Sequence, residues 1–303
     1  MAKRYSTGQT ACLERTKLLK NNIIDLATQQ PKCVLITGCS SGIGYYTAHQ
    51  LKRRGYRVFA SARSEHDVKR LIEEGLESLV LDLRDPNSIE QAFNSILNLT
   101  GGHLFALFNN GAYGQPGAIE DLSREALASQ FETNVFGWHD LTVRVVKVMR
   151  AQGYGRIIQN SSILGFIGLP YRGAYNASKF AIEGLSDTLR LELRGSDIHI
   201  SLIEPGPIES RFRHNSIAYF KQNIDVEQSA HKDNYLRQMA RLEKKGSAVP
   251  FTLPPHAVYE KVLKVLESKR PNARYYVTFP TYLFGYLKRL LTSRALDRLL
   301  AKI

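Results

Sequence analysis

Cysteine is scarce: the 303 residues contain three, Cys12, Cys33 and Cys39. Their odd number and the lack of any CxxC spacing exclude a disulfide framework and a zinc-type site. They point to a reducing, cytoplasmic setting with no bound metal. Long apolar runs are absent too: no stretch of about 18 uninterrupted apolar residues exists, so no spanning helix is expected. The opening Met1-Ala2-Lys3-Arg4 is basic but lacks the apolar centre of a secretion signal. Repeats and low-complexity tracts are missing. Acidic residues are few beside basic ones, 28 against 41, for a net charge of +13. The excess sits at the ends: residues 1–32 hold six Lys/Arg against two acids, and residues 256–303 hold ten against three. The long middle is nearly neutral. A nucleic-acid domain carries its basic stripe across the fold, so no nucleic-acid partner is expected.

What remains is ordinary globular usage, 43% hydrophobic and 23% charged, enough for one large α/β domain or at most two smaller ones. Residues 1–31 read as an N-terminal extension. There Leu13, Leu18, Leu19, Ile23, Ile24 and Leu26 give one helix an apolar stripe before Gln29-Gln30-Pro31 breaks it. From Cys33 onward, short apolar runs begin at Cys33, Val58, Leu79, Leu104, Arg156 and Ile198. Helical patterns lie between them over 43–54, 68–74, 88–99, 126–150 and 174–194. Runs apolar on both faces, alternating with helices, imply right-handed crossovers and an α/β fold: one doubly wound parallel sheet with helices on both faces, spanning 32–279. After Pro205-Gly206 the alternation stops. Residues 207–255 are polar, partly helical and dotted with Phe212, Tyr219, Phe220, Tyr235 and Phe251. They lie past the C-terminal end of a strand, the ligand side of an open sheet, and read as a substrate lid; a surface excursion is the alternative.

Between the first strand and first helix runs Thr37-Gly38-Cys39-Ser40-Ser41-Gly42-Ile43-Gly44. Glycines permit the tight turn and let backbone N–H groups approach a pyrophosphate at the positive helix end. About 20 residues on, an acid would hold a ribose 2′-hydroxyl. That position is Ala62, followed by Arg63. A carboxylate would repel a 2′-phosphate, whereas a guanidinium can clamp one. NADP(H) is therefore expected in preference to NAD(H). Asp82, before Leu83, can accept a bond from the adenine amino group or cap its own turn. Asn109-Asn110-Gly111-Ala112 follows the fourth strand and can wall that side of the cofactor.

Tyr175 and Lys179 are four apart and share one helix face. They open the helix after the fifth strand, which closes on Ser161-Ser162, and Asn134 lies in the preceding long helix. Reducing a carbonyl leaves an alkoxide that needs a proton, and the reverse reaction needs a base. An unperturbed phenol, with a pKa near 10, is too weak a base near neutrality. An adjacent ammonium and an oxidised nicotinamide would lower that pKa. Lys179 can also bond the nicotinamide ribose, and Ser162 can polarise the substrate oxygen.

Taken in order, Thr37-Gly-x-x-x-Gly-x-Gly44, Asn109-Asn110-Gly111-Ala112, Asn134, Ser162, Tyr175-x-x-x-Lys179 and Pro205-Gly206 resemble the short-chain dehydrogenase/reductase family over about residues 32–270. The resemblance implies a Rossmann-type sheet of strand order 3-2-1-4-5-6-7 and an Asn134–Ser162–Tyr175–Lys179 tetrad, with Asn134 holding a water that relays protons to Lys179. It also implies that Ile208, after Pro205-Gly206, meets the nicotinamide carboxamide through its backbone, and that the chain is a homodimer or homotetramer. Asn-Asn-Gly-Ala stands where Asn-Asn-Ala-Gly is usual, and Ser210 where Thr is common. The chain looks like a narrower bacterial branch of NADP-dependent aldehyde reductases, akin to retinol and 17β-hydroxysteroid dehydrogenases. The run from Ile163 to Pro170 is apolar and borders the substrate in this fold, facing Tyr113 and the lid. It suits a lipophilic carbonyl or alcohol, with core packing as the alternative. Residues 280–303 read as one basic amphipathic helix, docked on its own domain or a second subunit, or laid on an anionic membrane surface.

Overall fold

The computed structural model of the chain describes residues 23–25, 30–243 and 250–302. β1 (Cys33–Ile36) is buried along its whole length. It leads into α1 (Gly42–Arg53), β2 (Arg57–Ala62) and α2 (Glu65–Glu73), which Ser64 starts by accepting the Asp67 N–H. β3 (Glu77–Val80) precedes α3 (Pro86–Thr100), opened by Pro86 and closed by Gly101 at φ 64°. β4 (Ala106–Asn109) is followed by α4 (Arg124–Phe131) and α5 (Gly137–Gln152). β5 (Tyr154–Asn160), α6 (Gly173–Glu192) and β6 (Asp197–Glu204) complete the regular alternation. Beyond them lie α7 (Phe212–Asn223), α8 (Lys232–Glu243), α9 (His256–Glu267), β7 (Arg274–Tyr276), α10 (Phe279–Leu290) and α11 (Ser293–Leu300).

The strands run β3-β2-β1-β4-β5-β6-β7, and every neighbouring pair is parallel. This is the expected 3-2-1-4-5-6-7 order. The period-two pleat divides each strand between two cores. Val34 and Ile36 join Ala48 and Leu51 of α1 and Val258, Val262 and Val265 of α9. Leu35 points the other way, into Ile89, Phe93 and Ile96 of α3 and Trp138, Leu141 and Val145 of α5. Each such side chain contributes about 1.5–3 kcal/mol by leaving water. A third, smaller core of Ala118, Phe220, Ile224 and Tyr235 lies beneath α7 and α8.

Three stretches depart from the sequence reading. The single helix expected over 126–150 is two, α4 and α5, joined by a π-turn at Glu132–Phe136. The segment there runs hard against the loop after β3: a Cβ on Gly137 would fall 2.0 Å from the Leu83 carbonyl oxygen. The helix expected within 1–31 lies almost wholly outside the described residues, and where the chain is described Ile24–Asp25 pairs antiparallel with Gln30–Pro31. The basic C-terminal helix is also two, because Leu291 is extended and Thr292 restarts the next by accepting the Ala295 N–H. α10 docks on its own domain. A Cβ at Gly285 would meet the Tyr276 ring at 2.5 Å, and the Lys288 ammonium donates to the Phe166 carbonyl. Among the described residues no helix is long and apolar enough to cross a membrane.

Candidate active site

The strand order reverses at β1, which has β2 on one side and β4 on the other, so a crevice opens above its C-terminal end. The glycine turn lines this crevice. Gly38 sits at φ 70°, and a Cβ on it would lie 2.5 Å from Gly111 Cα; one on Gly44 would lie 2.4 Å from the Gly38 oxygen. No other residue fits either place. Thr37 Oγ1 accepts the N–H groups of Asn110 and Gly111, both at 2.9 Å. Asn110 Nδ2 donates to the Thr37 and Gly38 carbonyls at 2.9 and 3.2 Å. Ser64, Asp85 and Ser123 cap the helices that follow them, but Ser41 makes no side-chain cap to α1. The helix start around Ser40, Ser41, Gly42 and Ile43 fits the pyrophosphate of a dinucleotide.

Arg63 follows the last residue of β2. Its pKa is raised from the ordinary value, first by the Tyr219 hydroxyl of α7 and to a smaller extent by Asp82. Asp82 Oδ1 accepts the Arg84 N–H at 3.0 Å and Oδ2 lies 3.6 Å from the Arg84 guanidinium. Leu83 is buried and would touch a Cβ on Gly111 at 3.1 Å. Asn109 does not wall the crevice with its side chain. Strand alternation turns it below the sheet, where Nδ2 donates to Thr142 and Gln159 at 3.0 Å each. Asn110 does the lining instead.

At the other end of the crevice, Tyr175 and Lys179 share the first turns of α6. Lys179 is 1% exposed. Its ammonium donates to the Asn160 carbonyl at 2.7 Å and lies 4.2 Å from the Trp138 ring and 5.6 Å from the Tyr175 ring. Burial lowers its pKa to about 7, against a smaller upward pull from Glu183. Burial raises the Tyr175 phenol above the usual range, outweighing the opposite pull of Ser162. Phe212 of α7 packs edge-on against the phenol ring at 5.2 Å, and such surroundings penalise the phenolate; the lowering expected from the sequence belongs to the state with an oxidised nicotinamide beside the ammonium. Ser162 also accepts the Leu164 N–H at 3.1 Å.

Asn134 sits in the π-turn, fully buried. Its amide holds the Tyr113 backbone from both sides, accepting at 3.2 Å and donating at 2.9 Å, and donates to Ser178 at 3.1 Å. The Ile163 N–H donates to the Pro205 carbonyl at 2.8 Å, tying the loop after β5 to the end of β6. Gly206 is required by Thr278, whose Oγ1 a Cβ would meet at 2.2 Å. A bridge to Leu253 uses the Pro207 oxygen and the Glu209 N–H, the residues on either side of Ile208.

Residues 32–219 match the short chain dehydrogenase family. The chain belongs to that family. It is 42% identical over 269 residues to the uncharacterized oxidoreductase YbbO of Escherichia coli strain K12, covering 89% of this chain and 94% of that one. It is 35% identical over 247 residues to the 3-ketodihydrosphingosine reductase of Bacteroides thetaiotaomicron, covering 81% and 87%. A short-chain dehydrogenase/reductase from Burkholderia phymatum, solved in complex with NAD, superposes with a TM-score of 0.71 at 25% identity, covering 89% of this chain and 95% of that one. The chain is therefore an oxidoreductase of CH–OH and C=O groups built to hold a nicotinamide dinucleotide.

Two features of this short-chain dehydrogenase escaped the sequence reading. Asn160 links the two ends of the site: its Nδ2 donates to Asn110 at 2.9 Å while its carbonyl holds Lys179. The second is a buried charge cluster behind α6. Arg274 of β7 meets Glu183 at 2.8 Å, Asp187 at 2.9 Å and Glu204 at 3.2 Å. Burial pushes the Glu204 carboxyl up to about 9, with Glu183 adding to the rise. Only the repeated Asn-Asn hinted at the first; nothing in the spacing of residues 183, 204 and 274 could have revealed the second.

Proposed function

We propose that this enzyme uses NADPH to reduce an aldehyde or ketone on a lipophilic small molecule to the alcohol. The observation that carries the reading is the half-buried Tyr175 on the face it shares with Lys179, whose ammonium lies 5.6 Å from its ring, with Ser162 acting on its phenol. A bound nicotinamide supplies the hydride. Ser162 holds and polarises the carbonyl oxygen, and Tyr175 donates its proton to the oxygen as negative charge develops. The phenol gives its proton in reduction and would take one back in alcohol oxidation, so the direction is set by the cofactor pool, and NADPH favours reduction. Lys179, joined through Asn160 and Asn110 to the glycine turn, orients the ribose and favours the phenolate left behind. Asn134 fixes the backbone at Tyr113 and the helix at Ser178. Ile208 presents its backbone to the carboxamide, and Arg63 receives the 2′-phosphate. The Burkholderia relative carries NAD, so the preference for NADP(H) rests on Arg63 and on Ala62 where an acid would stand.

The described parts of 207–255, residues 207–243 and 250–255, form the lid over the substrate. Phe212 against Tyr175, and Ile163, Leu164 and Ile167 after Ser162, supply an apolar wall beside one polar centre. The Bacteroides relative is named for a ketone on a sphingoid chain, which agrees with such a wall. The test is NADPH oxidation followed by absorbance across a homologous aldehyde series. Turnover is expected to rise with chain length, and Tyr175→Phe to lower it by roughly 10²–10⁴-fold. A preference for charged, sugar-like carbonyls, or full activity in the Phe variant, would overturn the reading.

A further inference from the structure

The exposed apolar side chains of α10 fall on one side of the helix. Phe279, Tyr282, Leu283, Tyr286 and Leu290 are between 39% and 79% exposed, and their spacing places all five within about 100° of helical arc. The helix is held by its other side. Thr281 and Gly285 are buried there, Gly285 against the Tyr276 ring. The Lys288 ammonium donates to the Phe166 carbonyl and stands 5.0 Å from the Phe180 ring centre. Phe251, itself exposed, sets its ring 5.2 Å from that of Phe279 and widens the stripe. Single exposed apolar residues are ordinary, but a contiguous stripe marks a contact surface.

Charge indicates what that surface meets. From Phe279 to Lys302 the chain holds five Lys/Arg and one acid, Asp297. Arg289, seven residues after Tyr282, borders the stripe, and Arg294, Arg298 and Lys302 follow it, all exposed. Twofold pairing of the stripe with its own copy would bring these cations together, which opposes association. An anionic lipid surface would neutralise them. Tyr282 and Tyr286 suit such a boundary, where the ring is apolar and the hydroxyl stays wet. We propose that α10 lies along the surface of an anionic membrane, with the stripe sunk below the headgroups and the cations at the lipid phosphates. Lys288 fastens this helix to the loop after β5, so docking sets that loop beside the lipid. The inference stands on the stripe and its charge and does not depend on the cofactor or substrate reading.

Co-sedimentation of the full chain with vesicles tests it, using phosphatidylcholine alone and phosphatidylcholine mixed with phosphatidylglycerol. Binding should be at least about tenfold stronger to the anionic vesicles, and should fall about tenfold between roughly 0.1 and 0.5 M salt. The double variant Tyr286→Ser, Leu290→Ser should bind at least about tenfold more weakly, and Arg289→Gln about three- to fivefold more weakly. Both should melt within about 2 °C of the native chain, because the replaced side chains are exposed. Should the double variant unfold, Arg289→Gln and the salt dependence still decide. No binding by the native chain, equal binding to both kinds of vesicle, or full binding by the variants would overturn the proposal. So would a native oligomer that the double variant splits in sedimentation velocity, since the stripe would then be a contact between subunits.

Discussion

Replacing Lys179 with Met should change how stability depends on pH, by an amount that follows from its burial. The ammonium is 1% exposed, and desolvation lowers its pKa from 10.5 to about 7. In the unfolded chain it returns to 10.5. Below about pH 7 both states carry the proton and the contribution is flat. Between about pH 7 and 10.5 the unfolded chain binds a proton that the folded one lacks, so stability rises with pH. Each full pH unit is worth about 1.36 kcal/mol, less near pH 7 where the folded group is half protonated; from pH 7 to 9 the rise comes to roughly 2 kcal/mol. Urea unfolding of the native chain and of Lys179→Met at both pH values gives the difference of differences. The Asn160 carbonyl loses its donor at either pH, so that loss cancels, as do the other titrating groups. The native chain should gain about 2 kcal/mol more than the variant. Parallel profiles, within about 0.5 kcal/mol, would refute the claim that this lysine sheds its charge near neutrality.

Glu204 should act with the opposite sign. Its carboxyl is raised from 4.5 to about 9, so between those values the folded chain binds the extra proton and the native protein loses stability as pH rises. Glu204→Gln, neutral throughout, should gain on the native protein across that window, by roughly 1–3 kcal/mol at pH 8 in urea titrations. Gly44→Ala places a methyl 2.4 Å from the Gly38 oxygen; roughly 1–3 kcal/mol of stability and at least about tenfold in NADPH affinity should be lost, read by denaturation and by fluorescence titration. Phe212→Ala strips the apolar cover from Tyr175, and should raise KM about tenfold for long-chain aldehydes while leaving the shortest members within about twofold. A uniform change across the series would remove Phe212 from the substrate wall.

The parts of the fold that the amino-acid order made legible are those where one local force dominates. β1 is apolar on both faces and is followed by glycines that no other residue can replace, so strand, turn and helix could be read together. Tyr175 and Lys179 were found because four residues make one helical step, and their value came from standing after β5. The misses lie where tertiary contacts decide. β7, Arg-Tyr-Tyr, is three half-buried residues at a sheet edge, and its strand character comes from pairing with β6. The single helix drawn over 126–150 ignored the pressure of the Leu83 backbone on Gly137. The packing that raises the Tyr175 pKa was not legible either, because its chemical neighbours are visible in the sequence and Phe212, 37 positions away in α7, is not.

The π-turn at Glu132–Phe136 has a consequence for how this chain tolerates change. A π-turn holds one residue more than the α-helical path it interrupts. Deleting a single residue between 132 and 136 would let α4 and α5 fuse into one regular helix, locally the more favourable backbone. Because the wide turn absorbs its extra residue, α4 and α5 would keep their phase, and the loss would fall on the turn itself, where Asn134 takes the place from which it holds Tyr113 and Ser178. The better helix would make the poorer enzyme.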